Sequence, residues 1–423
     1  MYLTKEEEKI YNGEYGEVLE TCMNLIVSLG DIYGADKLIP ITSAQVSGVS
    51  YKTIGDKGLE FLKDLSNSGV SVKVHTTLNP AGMDLNNYEK LGFPKKFVKK
   101  QLEIIDCFKK LGIELGCTCT PYLCGNLPLK GSHISWAESS AVSYANSIIG
   151  AKTNREGGPS ALASAILGKT PYYGYHLDEN RLPTHIIKVE TSINTISDFG
   201  ALGSIVGREV KNGIPYFIFD NLDNTVKTSY LKGLGASMAA SGGVALYYIE
   251  NITPEWKFAK NYINSNGNNC NNNGIINNNF ETITITNKDI KEEYNKLNSA
   301  EDIDLICIGC PHCDLEEIKE IVNFIKENNL DKKDNNKFKC DLWICTSIYI
   351  KSIVDRLGWN EIIENAGGKI VVDTCMVVAP IEDMGYKKVG VNSGKASKYL
   401  PSFCGSSVVF GNTIELLKKG MSK

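Results

Sequence analysis

The sequence predicts an α/β protein with more than one structural unit, and three observations carry that reading. The chain is 423 residues long, more than one small hydrophobic core serves. Short runs rich in Val and Ile alternate with amphipathic stretches, the pattern of parallel strands covered on both faces by helices. A tract at 261–281, "NYINSNGNNCNNNGIINNNFE", interrupts that pattern with a low-complexity, Asn-rich segment that has no core of its own.

The elements follow in order. Thr4 with Glu7 three residues later forms a capping box, so a helix opens the chain. "DKLIPITSAQVSG" (36–48) reads as strand and loop, "DKGLEFLKDLSNSG" (56–69) as helix and "VSVKVHTTLNP" (70–80) as strand. "KKFVKKQLEIIDCFKKLG" (95–112) is a strongly amphipathic helix, and "IELGCTCTPYLCG" continues as strand and loop. "SWAESSAVSYANSIIG" (135–150) reads as a helix opened by Ser135, with Glu138 completing a second capping box. "NREGGPSALASAILG" (154–168) is a Gly-Pro turn leading into a helix, and 229–249 reads as a buried helix with a Gly pair inside it. Beyond the Asn-rich tract the βαβ alternation is clean. The expected organisation is an N-terminal α/β region over 1–260, a linker or surface loop over 261–282, and a C-terminal α/β domain over 283–423.

Composition narrows the function. Apolar residues make up 42% and charged residues 22% of the chain, the usage of a globular enzyme. A formal net charge of −4 gives no pull toward nucleic acid or an anionic membrane. "MYLTKEEEKIYNG" is charged from its fourth position and unlike a signal peptide, and no apolar run reaches the ~18 residues of a membrane helix. A cytoplasmic location is expected. There the thirteen cysteines are mostly reduced thiols. Cys22, Cys107 and Cys340 sit in ordinary helix or strand patterns and read as packing residues, whereas Cys270, in the Asn-rich tract, reads as exposed.

The remaining sulfur is placed differently. "GCTCTPYLCG" (116–125) carries three thiols in ten residues. In open α/β sheets the active crevice lies beyond the carboxyl ends of the strands. Cys310 follows "DLICIG", Cys375 closes "KIVVDTC", and Cys119 ends "IELGCTC". Pro121 and Pro311 stiffen the loops after Cys119 and Cys310. Cys117, two residues before Cys119, falls on the same strand face and reads as a neighbour of the site or a core thiol. "CIGCPHC" invites a zinc reading through Cys307, Cys310, His312 and Cys313, but no second ligand pair accompanies it. Thiolates favour iron–sulfur as much as zinc. Cys345 and Cys404 compete on spacing alone.

The pieces "SAQVSG", "TTLNP", "CTCTPY", "GSHISWAESSAVSYANSIIGAKTNREGGPSAL", "GCPHC", "VVDTCMVVAP" and "NSGKAS" span nearly the whole chain in this order. Together they resemble the large subunit of the aconitase X family. The resemblance implies an aconitase-like arrangement of several domains, with parallel sheets flanked by helices and a cluster site where strand ends converge. It also implies an iron–sulfur hydro-lyase completed by a separate small subunit. Its cofactor would be a [4Fe-4S] cluster with one open iron, held by Cys119, Cys310 and Cys375. Its archaeal branch acts on phosphomevalonate, a phosphorylated hydroxy acid, and other branches dehydrate cis-3-hydroxy-L-proline. By the same resemblance Gly48, Val49, Ser50, Asn79, Pro80, Glu138, Ser139 and Lys395 are substrate contacts. Gln45 stands where family members often have His.

The residue chemistry agrees with that reading. A Gly-Val-Ser loop offers N–H groups and a hydroxyl to an anion. Glu138 and Ser139 open a helix, and Lys395, in a Gly-containing loop, supplies a point charge for phosphate or carboxylate. Asn154 and Arg155 are further candidates, since Arg grips carboxylates in bidentate fashion. His75, His133 and His312 lie near these motifs without a catalytic partner in sequence and read as supporting histidines. No convincing general base is found, and the resemblance assigns that role to a serine of the small subunit. A non-catalytic iron–sulfur or zinc sensor is the competing reading from another class.

Overall fold

The computed structural model describes residues 1–222, 226–267, 280–332 and 337–421. Cys270 lies outside the described residues. The first part holds β1 (Leu38–Pro40), β2 (Ser43–Val46), β3 (His75–Leu78), β4 (Ser135–Trp136) and β5 (Lys169–Pro171). β2 is the centre of a parallel sheet ordered β3-β2-β4, and β1 pairs antiparallel with β5. The helices Glu17–Ile32, Tyr51–Asn67, Lys95–Lys110 and Gly158–Leu167 contribute Met23, Leu62, Phe108 and Ile166 to one apolar core over this sheet. The expected capping box at Thr4 and Glu7 is present.

A second parallel sheet follows, of β6 (His185–Val189), β7 (Pro215–Phe219), β8 (Tyr248–Ile249) and β9 (Glu281–Ile285), ordered β8-β7-β6-β9. The third contains β10 (Leu305–Ile308), β11 (Asp341–Thr346), β12 (Gly368–Val372), β13 (Lys388–Val391) and β14 (Ser407–Phe410). It is parallel throughout, in the order β12-β11-β10-β13-β14. The largest core joins these two sheets: Val189 and Phe217 of one share it with Trp343 and Val391 of the other. The expected α/β class with helix-flanked parallel sheets is what the structure contains.

Helices Ile196–Val210 and Thr228–Ser241 contribute Leu202 and Leu234 to the core that the second and third sheets share, and they pack closely on each other. A Cβ at Gly203 would stand 2.6 Å from the Leu234 carbonyl oxygen. A Cβ at Gly394, which opens the helix Gly394–Cys404, would stand 2.7 Å from the Gly200 carbonyl oxygen. Only glycine fits either contact. Ser237 donates to that same Gly200 oxygen at 2.6 Å.

Several expectations change. β9, beyond the Asn-rich tract, pairs along its length with β6, so residues 281–285 complete the second sheet. The third sheet starts only at Leu305, and the boundary expected at 261–282 runs through a sheet. Strand pairing is non-local and leaves no mark in the strand itself. Ser135 lies in a strand, paired to Ala44, and does not open a helix; the helix there is Ser139–Tyr144, capped by Glu138. Gly242 ends the helix expected over 229–249. "IELGCTC" forms no strand beyond a single bridge between Cys117 and Leu78. Among the described residues no helix is long and apolar enough to cross a membrane.

One ion pair fixes the helix Asn287–Leu297 to its neighbour. Arg208 grips the carboxylate of Glu293 at 2.5 and 2.7 Å, and Ser204 donates to it at 2.6 Å. Burial alone would raise the Glu293 pKa, but these donors hold it below the usual range. Such a group contributes stability above its unfolded pKa of ~4.3, and that contribution is lost as pH falls through the lowered folded value. Arg208→Met should therefore cost about 2–3 kcal/mol at pH 7, from an unpaired buried carboxylate. Denaturant unfolding should show the gap to the unaltered protein narrowing in acid.

Candidate active site

Glu138 is the N-cap of the helix Ser139–Tyr144, which follows directly on β4, and its carboxylate accepts the Ser140 N–H. It also accepts Asn79 Nδ2 at 2.7 Å, Ser140 Oγ at 3.1 Å and the Lys395 ammonium. Asn79 leaves the end of β3, with its N–H bound to the Val46 carbonyl of β2. Lys395 is not on a Gly-containing loop as expected. It sits in the first turn of the helix Gly394–Cys404, capped by Ser393, and its side chain is buried. Its partner stands 257 positions earlier in the chain.

Electrostatics make this pair the centre of the site. Burial alone would raise the Glu138 pKa, yet the Lys395 charge and hydrogen bond hold it down at about 2. Burial would likewise lower Lys395, but Glu138, then Cys310 and Cys119, hold it above its usual range. Cys119, Cys310 and Cys375 are all buried and all respond to the Lys395 charge. The interaction between Cys310 and Cys375 lowers the Cys375 thiol to about 7 and raises Cys310. Burial pushes Cys119 up, and its sulfur accepts the His312 N–H at 3.1 Å. The structure thus brings together three of the sequence-derived sulfurs with Asn79, Glu138, Ser139 and Lys395.

The remaining predicted contacts frame this network. Ser50 caps the helix Tyr51–Asn67 and donates to the Val378 carbonyl at 2.9 Å, three residues beyond Cys375. Gly48 takes φ 79°, and the Val49 carbonyl accepts Gln101 Nε2. Pro80 is followed by Ala81, whose N–H donates to the Asp373 carbonyl at 2.7 Å. Asp373 itself adopts φ 62°, rare for a non-glycine residue. Its carboxylate accepts the Cys117 N–H at 3.1 Å. One residue therefore ties the loops that carry Asn79, Cys119 and Cys375. Sequence reasoning missed Asp373; the only signal was a carboxylate two residues before a candidate cysteine.

Other candidates fall elsewhere. Cys117 belongs to the first apolar core. Cys307 and Cys345 face each other at 3.6 Å inside the third sheet, and Cys404 lies against Lys52 at 3.3 Å. Cys313 packs in the core on the far face of that sheet, so "CIGCPHC" does not converge on a zinc ion. Among the described residues no three Cys, His, Asp or Glu side chains gather as tightly as a single metal ion requires. Asn154 holds the turn at 173–175, exposed Arg155 reaches the Ala239 carbonyl, His75 pairs with Glu114, and His133 meets His176. Gln45 is fully buried and donates to the Thr118 carbonyl at 2.9 Å. Its Oε1 and Asn79 Oδ1 are buried without a hydrogen-bond partner among the described residues.

Removing one member of the central pair leaves the other charge buried. Lys395→Met should cost about 3–5 kcal/mol at pH 7, and pairing it with Glu138→Gln should recover much of that loss. Glu138 stabilises above its unfolded pKa of ~4.3. That stability is lost as pH falls toward about 2, so the cost of Lys395→Met should shrink over this window. Urea unfolding of the four members of the cycle across pH reads both effects.

Sequence models of the first, second and third domains of aconitase X match residues 1–179, 183–295 and 303–422. The chain is 61% identical to the phosphomevalonate dehydratase large subunit of Methanocaldococcus jannaschii, over 99% of this chain and 100% of that one. It is 27% identical to the cis-3-hydroxy-L-proline dehydratase of Hypocrea jecorina, over 97% of this chain and 67% of that one. The crystal structure of Thermococcus kodakaraensis aconitase X in its holo-form superposes with a TM-score of 0.87 at 46% identity, covering 99% of this chain and 100% of the other. Three consecutive domain matches and near-complete coverage by relatives leave one conclusion: the chain belongs to the aconitase X family.

Proposed function

We propose that this chain is the large subunit of a cytoplasmic phosphomevalonate dehydratase, removing water from (R)-5-phosphomevalonate to give trans-anhydromevalonate 5-phosphate in an archaeal-type mevalonate route to isoprenoids. The observation that carries the reading is the buried Lys395–Glu138 pair beside three thiols, in a chain 61% identical to a protein of that name. The donor set suits an iron–sulfur group: Cys119, Cys310 and Cys375 are buried sulfurs, and a nearby cation offsets thiolate charge. These three would hold a [4Fe-4S] cluster. When bound, a cluster with one iron free of cysteine supplies a Lewis acid for the substrate hydroxyl.

The chain's own residues bind and orient. Asn79 Oδ1, buried without a partner, would accept a hydrogen bond from the substrate, and Pro80 shapes its loop. Gly48, Val49 and Ser50 lead into the N-terminus of the helix Tyr51–Asn67, whose backbone N–H groups suit an anionic group; the Ser50 hydroxyl would have to leave the Val378 carbonyl to join them. Lys395, held in place by Glu138 and Ser140, supplies the positive charge for carboxylate or phosphate, and Glu138 and Ser139 lie beside it as further contacts. None of these serves well as the base that takes the α-proton. Glu138 is saturated by Lys395, Asn79 and Ser140, and both ring nitrogens of His312 are engaged. The base would come from a serine of a small subunit that closes the site against water. The name "large subunit" borne by the methanogen relative, and the third of the longer hydroxyproline dehydratase that this chain does not match, favour such a partner.

Two experiments test the reading. Anaerobic reconstitution should load iron into the unaltered chain and into Cys22→Ser and Cys107→Ser, but not into Cys119→Ser, Cys310→Ser or Cys375→Ser. Full iron in the Cys375→Ser protein would remove it from the ligand set. The loaded chain alone should turn over phosphomevalonate at least ~10²-fold more slowly than with the small subunit, the lower range for a placed base. Turnover of cis-3-hydroxy-L-proline in place of phosphomevalonate would reassign the substrate.

A further inference from the structure

His312 is fully buried, and all four of its polar groups are engaged. Its backbone N–H donates to Cys119 Sγ at 3.1 Å. Its ring Nε2 lies 2.9 Å from the Thr374 carbonyl oxygen, and Nδ1 lies 3.0 Å from Thr118 Oγ1. Its own carbonyl accepts the Lys232 ammonium at 2.9 Å. Thr118 immediately precedes Cys119, Thr374 immediately precedes Cys375, and His312 itself is two residues beyond Cys310.

Hydrogen-bond chemistry assigns the tautomer. A carbonyl oxygen only accepts, so Nε2 carries the proton and Nδ1 offers its lone pair. Thr118 must then donate to Nδ1, and its oxygen in turn accepts the Thr120 N–H at 3.1 Å. The result is a one-way chain that starts at the Thr120 N–H, passes through Thr118 and His312 and ends on the Thr374 carbonyl oxygen. Both of its inner members are anchored. Gln45 holds the Thr118 carbonyl from β2, and Lys232, paired to Glu317, holds His312 from the helix Thr228–Ser241.

We propose that His312 is a positioning residue that registers Cys119 and Cys375 against Cys310 and aims an N–H at the Cys119 sulfur. The inference rests on the ligand set proposed above. A histidine placed merely to fill the core needs no partners adjacent to each of the other two sulfurs. An N–H···S bond also withdraws electron density from the sulfur, one of the levers by which proteins tune iron–sulfur groups. Residues that orient metal ligands typically change metal affinity 10–100-fold when removed.

The test uses the large subunit with its small subunit, reconstituted anaerobically. His312→Leu removes both ring bonds, His312→Gln retains a donor toward Thr374, and His312→Asn retains an acceptor toward Thr118. Thr118→Val removes one hydroxyl at nearly constant shape and decides the matter if His312→Leu does not fold. The readouts are the rate of iron loss to a ferrous chelator, the electron paramagnetic resonance signature of the reduced cluster, and the thermal midpoint of the iron-free chain. His312→Leu should lose iron about tenfold faster or more, with a shifted resonance signature. The Gln and Asn variants should each restore part of the difference, and Thr118→Val should fall between them and the unaltered protein. Iron-loss rates and signatures unchanged in both His312→Leu and Thr118→Val overturn the proposal. Changes that follow only the iron-free thermal midpoint, without partial rescue, overturn it in favour of plain packing. The three Cys→Ser variants run alongside separate the causes. If they keep their iron, the ligand set falls and this inference with it; if they lose iron while the His312 and Thr118 variants do not differ, only this inference falls.

Discussion

The site is organised around one buried cation. Lys395 is the positive charge shared by Cys119, Cys310, Cys375 and Glu138, in surroundings where unpaired charge is costly. A buried ion pair adds little net stability over an apolar replacement of the same volume, but breaking it is expensive. The pair therefore acts less as a source of stability than as a register mark. It locks the helix after β4, in the first sheet, to the helix after β13, in the third. The thiols and the orphaned oxygen of Asn79 take their places around that lock.

Parallel sheets explain why so many functional groups arrive at one point. The segments that follow β2, β3, β4, β10, β12 and β13 carry the Gly48 turn, Asn79, Glu138, Cys310, Cys375 and Lys395 respectively, the last in the first turn of a helix. All leave from carboxyl ends of parallel strands, where open α/β sheets place their crevices. Among these segments only the Cys119 loop has no strand before it, and side chains from elsewhere hold it in place of a sheet. Asp373, in its left-handed conformation, grips Cys117, and His312 grips Thr118. Local strain is accepted there because tertiary bonds over-determine the backbone.

The sequence was most informative where chemistry follows from local pattern. Cys310 and Cys375 were legible because a thiol just past a Val/Ile-rich strand stands out against buried core cysteines. Cys119 was legible through its proline-stiffened loop, although the strand expected before it is absent. The burial of Lys395 was not legible, since its partner is Glu138, far away in the chain. The same limit hid the pairing of β9 with β6. Helix boundaries failed where a tertiary contact outvoted a local cap: Ser135 has the composition of an N-cap, but β2 claims its backbone for a sheet. Gln45, which departs from the residue common in the family, proves to be a strut beneath Thr118.

The contact between Gly200 and Gly394 carries this architecture into mutational tolerance. Neither glycine touches a thiol or the Glu138 carboxylate, and a survey of ligand-lining positions would pass over both. Yet a Cβ on Gly394 would stand 2.7 Å from the Gly200 carbonyl oxygen and one on Gly200 3.1 Å from the Gly394 nitrogen, so the first is closed to a methyl group and the second tight, and interiors packed at crystal density yield by displacement, not by compression. The element that must move is the helix whose next residue is Lys395. An alanine at Gly394 would spend its steric conflict on the placement of the charge carried by the next residue. Damage at this seam would displace the Lys395 charge in a protein whose Glu138 carboxylate and three thiols were all intact.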